Sequence, residues 1–312
     1  MADESTHTHR SASVTALLIM SASNGAPLVV FDFDKTIVGC DSDNWVVDAL
    51  AATDRFDDLL RHLPWNTAID TMMGELHAQG KSTDDIKAPL RAAPLSPHVV
   101  AAIKSAHALG CELRILSDAN AFFIDTILHH HGLTAYFSGM DTNPAHVDAD
   151  GRLRIGPYHE FRGAAAGHGC ALPTCPPNMC KGKVMERILQ EEEEEEAASA
   201  TAGKGRRRRA VVYLGDGRGD YCPSLKLREG DYVMPRAGYP VWDLVVDSPP
   251  RAAVRGWASF EDLARVLLAI VDGEIARAAT EDAAMVVPDC RALVAAPARQ
   301  EALLPKAVRV PN

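Results

Sequence analysis

Asp32 and Asp34 stand two residues apart in Asp32-Phe33-Asp34-Lys35-Thr36, where an apolar run gives way to polar chain. Two further apolar runs end alike, in Ser117-Asp118 and in Gly215-Asp216-Gly217-Arg218-Gly219-Asp220. Carboxylates gathered without partners repel one another strongly, so bringing these ends together makes chemical sense only around a cation. Clustered hard oxygens with no imidazole close by suit Mg²⁺. An Asp at one strand end is commonly a helix cap or turn former. Three such ends in one chain are a more specific signal.

The elements that must position these residues are legible from spacing. Pro27–Phe33, Cys111–Leu116 and Ala210–Leu214 are short β-favouring apolar runs and read as buried parallel strands. Tyr136–Met140 reads as a further strand, and His146–Tyr158 as a hairpin around Asp150-Gly151. Helical spacing runs over 44–93 with breaks at Pro64 and Gly80, from Ser96 to His107, from Asn120 to His131, over Lys181–Gln190 and from Phe260 to Ala278. Strands alternating with helices predict an α/β fold, a doubly wound parallel Rossmann-like sheet whose ligands sit at the C-terminal strand edge. The expected organisation is a tail over 1–26, a core over 27–43 and 97–278, a small helical cap inserted at 44–96, and a tail over 279–312. Glu191–Glu196 and Arg206–Arg209 mark a low-complexity Glu/Arg insert over 191–209, read as a solvated surface loop.

Composition limits the partners. The 312 residues carry a net charge of −10, with 47% hydrophobic and 24% charged residues, which excludes collagen, coiled coil and wholesale disorder. A sequence pI near 5.6 supplies no general basic surface, so nucleic acid is not an expected partner. Seven scattered cysteines do not make a secreted disulfide framework and suit the reducing cytoplasm. Val14–Met20 is too short to span a bilayer and poorly flanked for a signal peptide, so no membrane partner is expected.

The motifs DFDKT, a Ser after the second strand, a Lys ahead of a helix, and GDGRGD resemble those of haloacid-dehalogenase-superfamily phosphatases. FDFDKTIVGCDSDNW, ILSDAN, CPPNMCKGK, GDGRGDYCP and RAGYP are more similar still to the phosphoethanolamine/phosphocholine phosphatase branch and its plant pyrophosphatase-like relatives, over about residues 27–270. The resemblance implies that Asp32 attacks phosphorus and that Asp34 is the general acid and base. It further implies that Asp32, the Asp34 carbonyl and Asp216 hold Mg²⁺, with Asp220 a further ligand or a supporting partner. Ser117 and Lys181 would bind the phosphoryl oxygens, with Lys183 the rival for the lysine's duty. Asp43 and Asp118 would meet the organic end of a small phosphorylated metabolite. The family's fourth motif commonly reads GDGAND; here Arg218 and Gly219 replace two of its residues.

Between Asp41 and Ser96 lie ten acids and five bases, a balance that leans to a cationic head such as ethanolamine or choline over the second phosphate of pyrophosphate. Trp45 and Trp65 read as cap core, with cation–π contact to a quaternary ammonium as the alternative. His168, Cys170, Cys175 and Cys180 form H-x-C-x4-C-x4-C. A Pro-rich Cys loop packed beside the site is the favoured reading of that motif, and Zn²⁺ binding the alternative. Two rival functions stay open: inorganic pyrophosphatase activity, and a non-catalytic regulatory protein on the same scaffold.

Overall fold

The computed structural model describes residues 25–162, 167–201 and 208–286. The strands are β1 (Leu28–Phe31), β2 (Glu112–Asn120), β3 (Gly139–Asn143), β4 (Ala145–Val147), β5 (Leu153–Ile155), β6 (Val211–Gly215), β7 (Tyr232–Pro235) and β8 (Ala253–Val254). Six of them form one parallel sheet in the order β3-β2-β1-β6-β7-β8, and β4 pairs with β5 as an antiparallel hairpin. All four residues of β1 are buried: Val29 and Phe31 join the apolar core on one face, Leu28 and Val30 the core on the other. A strand covered on both faces needs that continuous apolar run. The chain lays β2 and β3 on one side of β1, then returns to lay β6, β7 and β8 on the other. Loops leaving β1 and β6 therefore part at the reversal and open a crevice at their C-terminal ends. This is the doubly wound α/β architecture the sequence predicts.

Helices α1 (Ser42–Ala49), α2 (Thr53–Leu60), α3 (Trp65–Ala78) and α4 (Thr83–Arg91) stand between β1 and α5 (Pro97–Ala108). The Asp41 carboxylate accepts from the Asn44 N–H at 3.1 Å to start α1, and a Ser82–Asp85 capping box starts α4. These helices bury Val46, Phe56, Ile69, Met72, Met73 and Leu90. The chain enters and leaves them at a pinch, where Val38 bridges Leu95 and the Gly39 N–H donates to the Pro94 carbonyl at 2.7 Å. The β4–β5 hairpin, distant in sequence, packs on α3: Asp70 accepts from the Ile155 N–H at 2.8 Å and from Arg154 at 3.1 and 3.2 Å.

After α6 (Ala121–His130), helix α7 (Lys181–Thr201) departs from expectation. Glu191–Glu196 is helical and not a surface loop, because basic side chains from elsewhere meet it. Glu191 pairs with Arg114 at 2.8 Å and with Arg187, Glu192 with Arg209, and Glu193 with Arg228. Arg208 is likewise engaged, with Asp231 at 2.7 Å, while Arg206 and Arg207 lie outside the described residues. Helices α8 (Tyr221–Ser224) and α9 (Pro240–Asp247) follow, and α10 (Phe260–Val286) runs past the expected end at 278. Ala26 is buried against the core, so the first tail ends earlier than 26. Residues 1–24 and 287–312 of the expected tails lie outside the described residues. Among the described residues, no helix is long and apolar enough to cross a membrane.

Candidate active site

Asp32 is the first residue beyond β1, tied to the sheet by its N–H donating to the Leu214 carbonyl at 2.9 Å. Its side chain is buried, and Oδ1 accepts from the Phe33 N–H at 2.7 Å and pairs with Lys181 Nζ at 2.9 Å. Oδ2 has no hydrogen-bond partner among the described residues. Asp216 leaves β6, the neighbouring strand, and is also buried. Lys181 opens α7 and is 2% exposed, with Nζ 2.7 Å from Asp220 Oδ1 and 3.3 Å from Asp118 Oδ1. Lys183 is exposed, so the geometry brings Lys181 and not its rival to the crevice.

Asp220 has both oxygens occupied. Oδ1 accepts from Lys181 and from the Tyr213 hydroxyl at 2.6 Å; Oδ2 accepts from the N–H groups of Asp216 at 2.9 Å and Gly217 at 2.7 Å. Gly215 must be glycine here, since a Cβ would lie 2.5 Å from Asp220 Oδ2. With these four donors Asp220 shapes the turn that presents Asp216, and its carboxylate stays grouped with those of Asp32 and Asp216. Ser117 is fully buried within β2, its Oγ accepting from the Ala119 N–H at 3.3 Å. The strand does not stop at Leu116 but continues to Asn120 after a register shift.

The site is electrostatically unbalanced. Carboxylate oxygens of Asp32, Asp216 and Asp220 lie within 4.8 Å of one another. Burial and then the charge of Asp220 push the Asp32 carboxyl well above its usual range, and the same causes bring Asp216 to about 7. Asp34 is raised well above its ordinary value by burial, then by Asp41 and Asp43. Its Oδ2 accepts from Ser42 Oγ at 3.1 Å, whereas Oδ1 is buried with no partner among the described residues. Burial acts to lower Lys181, but Asp118, Asp220 and Asp32 outweigh it and hold the ammonium protonated. One lysine among these carboxylates leaves negative charge in excess. Asp32 and Asp216, whose oxygens are not saturated by other donors, fit a hard divalent cation.

Above this centre lies a cleft of about 500 Å³ bordered by Asp34, Lys35, Asp41, Asp43, Trp65, Asp118 and Arg218. Asp43 accepts from Trp65 Nε1 at 2.7 Å and from Asn120 Nδ2 at 3.4 Å. Burial and the nearby Asp41 raise Asp43 to about 7. Burial would raise Asp118 too, but Lys181 overrides it and holds that carboxyl low. Trp65 is 41% exposed on the cleft, not cap core, whereas Trp45 turns its Nε1 to the Pro89 carbonyl at 2.8 Å. His168 does not join a thiol set: Nε2 lies 3.0 Å from the Pro176 carbonyl, and Nδ1 accepts from the Cys170 N–H at 3.0 Å.

Two contributors had no assigned role in the sequence reading. Tyr213 looked like strand core, and only the β6 pairing aims its hydroxyl at Asp220. Arg236, from the RAGYP stretch, donates to the Lys35 carbonyl while its guanidinium lies over Tyr239, Trp257 and Phe260 at 4.1, 5.0 and 5.0 Å. It braces the loop that carries Asp34, where Lys35 has φ 55°.

Residues 27–271 match the family described as "Putative Phosphatase". The chain is a member of this phosphatase family, of the haloacid-dehalogenase type. The enzyme is 51% identical over 243 residues to inorganic pyrophosphatase 1 of Arabidopsis thaliana, covering 77% of this chain and 78% of that one. It is 47% identical to a thiamine phosphate phosphatase-like protein of the same plant, over 78% of this chain and 95% of the relative. The phosphoethanolamine/phosphocholine phosphatase of Homo sapiens is 33% identical, over 78% and 89%.

Proposed function

We propose that the enzyme is a Mg²⁺-dependent phosphatase working through an aspartyl-phosphate on Asp32, with a small phosphomonoester of cationic organic end as substrate. Asp32 Oδ2 attacks phosphorus, the P–O bond to the alcohol breaks, and Asp34 gives its proton to the leaving oxygen. Asp34, now a carboxylate, takes a proton from water as that water attacks phosphorus, which releases Asp32 and inorganic phosphate. Lys181 and Ser117 hold the phosphoryl oxygens. Asp32, Asp216 and the Asp34 carbonyl would hold Mg²⁺, which when bound offsets the repulsion between nucleophile and phosphate. The observation that carries this reading is the buried set of Asp32, Asp216 and Lys181 gathered from three separate elements at one sheet edge.

Asp43, Asp118 and the exposed face of Trp65 suit the cationic organic end of a monoester such as phosphoethanolamine, phosphocholine or thiamine phosphate. Pyrophosphate is the second reading, supported by Arg218, an exposed cleft residue with no ion-pair partner among the described residues, and by relatives bearing that name. Six free cysteines among the described residues suit work in the cytoplasm. A phosphate-release assay over these four substrates, with and without Mg²⁺, tests both parts. The expected result is Mg²⁺-dependent turnover with kcat/KM highest for a cationic monoester. Pyrophosphate preferred by about tenfold or more would establish the second reading, and full turnover without Mg²⁺ would remove the metal from the scheme.

A further inference from the structure

We propose that Cys170, Cys175, Cys180 and Cys222 form a structural Zn²⁺ site directly behind the carboxylate centre. The four sulfurs close a ring, with Sγ–Sγ distances of 3.7 Å (170–175), 3.7 Å (175–180), 3.8 Å (180–222) and 3.9 Å (170–222). All four lie within 4.8 Å of one another. A tetrahedron with Zn–S bonds of 2.3 Å has edges of about 3.8 Å, the spacing seen here. A disulfide would need about 2.05 Å, and every described cysteine is free. Tetrahedral sulfur ligands alone suit Zn²⁺, while hard Mg²⁺ belongs with the carboxylates.

The fourth ligand is the thiol of Cys222 at the start of α8, not the imidazole of His168, whose two ring nitrogens serve the loop itself. The thiols come from two stretches of chain far apart in sequence. One is the loop ending at Cys180, the other the turn after the fourth motif. Packing at their junction is already tight: a Cβ on Gly182 would lie 2.2 Å from Cys222 Sγ. Cys180 immediately precedes Lys181, and Cys222 lies two residues beyond Asp220. An ion joining those sulfurs would therefore fix, from outside the cleft, the two segments that meet in the 2.7 Å Lys181–Asp220 pair. Such a site contributes folding energy and need not touch substrate.

The test uses the full-length reduced protein, purified without chelator and exchanged into excess Mg²⁺. Elemental analysis should find one zinc per chain, with Cys175→Ser and Cys222→Ser each lowering it by about tenfold or more. Cys111→Ala and Asp32→Asn should keep it, which separates this site from the carboxylates. Because a cysteine variant that fails to fold would also lose metal, wild-type protein freed of zinc and reloaded with Co²⁺ supplies a second readout. It should show the intense visible bands of tetrahedral Co²⁺–thiolate, abolished by one equivalent of Zn²⁺. Wild-type protein that carries no zinc and gives no such bands, that carries iron instead, or whose intact mass reports disulfides among these cysteines would overturn the proposal.

Discussion

Two charged clusters in this molecule are built on opposite principles. Midway along α7, acids and bases match: Arg209 meets Glu112 and Glu192, and Arg114 meets Glu191. Despite the opposing effect of burial, the arginines hold Glu112 and Glu191 below their ordinary values. At the crevice the acids outnumber the bases, and Asp32, Asp34, Asp43 and Asp216 are all pushed upward. Matched charges stabilise a fold. Mismatched buried charges weaken it and persist where a ligand completes them. The contrast separates structure from function without reference to motif, and each substitution below acts on one side of it.

Asp32→Asn should cut kcat by about 10³-fold or more while raising the thermal midpoint of the metal-free protein. The sign follows from the raised folded-state value: ionised Asp32 is disfavoured in the native site, so a neutral amide relieves repulsion. Parallel kinetics and calorimetry check both, and a lower midpoint would break the contrast. Lys181→Met should cost about 10²–10³-fold in kcat, read in the same assay. Asp43→Asn acts farther from phosphorus and should raise KM for a cationic monoester about tenfold with kcat little changed.

The pH profile sharpens that third expectation. Asp43 is raised to about 7, so its charge is present above that pH and lost as pH falls through it. KM for a cationic substrate should therefore rise on acidification from pH 8 to 6, a trend that Asp43→Asn abolishes. A flat KM in wild type would remove Asp43 from substrate recognition. The smallest effect belongs to the matched cluster. Arg209→Ala should lower unfolding free energy by about 1–3 kcal/mol, with kcat unchanged, because it breaks hydrogen bonds without touching the crevice.

Much of the crevice was legible in sequence because strand-end chemistry is local. Asp32, Ser117 and Asp216 each close an apolar run, and parallel topology alone brings such ends together. The role of Asp220 was legible only in part: the motif names the residue, but its four donors come from Lys181, Tyr213 and the backbone of the turn. Cys222 and Arg236 meet their partners across gaps that no window of sequence spans. The Glu run was misread because composition registers like charges but not the arginines folded against them. The acid count of the helical insertion misleads for a related reason: Asp70, Glu75 and Asp84 are paired on its own surface or with the β4–β5 hairpin and do not border the cleft.

The central claim is that Asp32 carries the phosphoryl group during turnover. Rapid acid quench with phosphate-labelled phosphocholine, followed by peptide mapping, tests it directly. The account predicts a hydroxylamine-labile label on Asp32 that forms and decays at rates consistent with turnover. Turnover with no label on the protein, or with label on another residue, would contradict it.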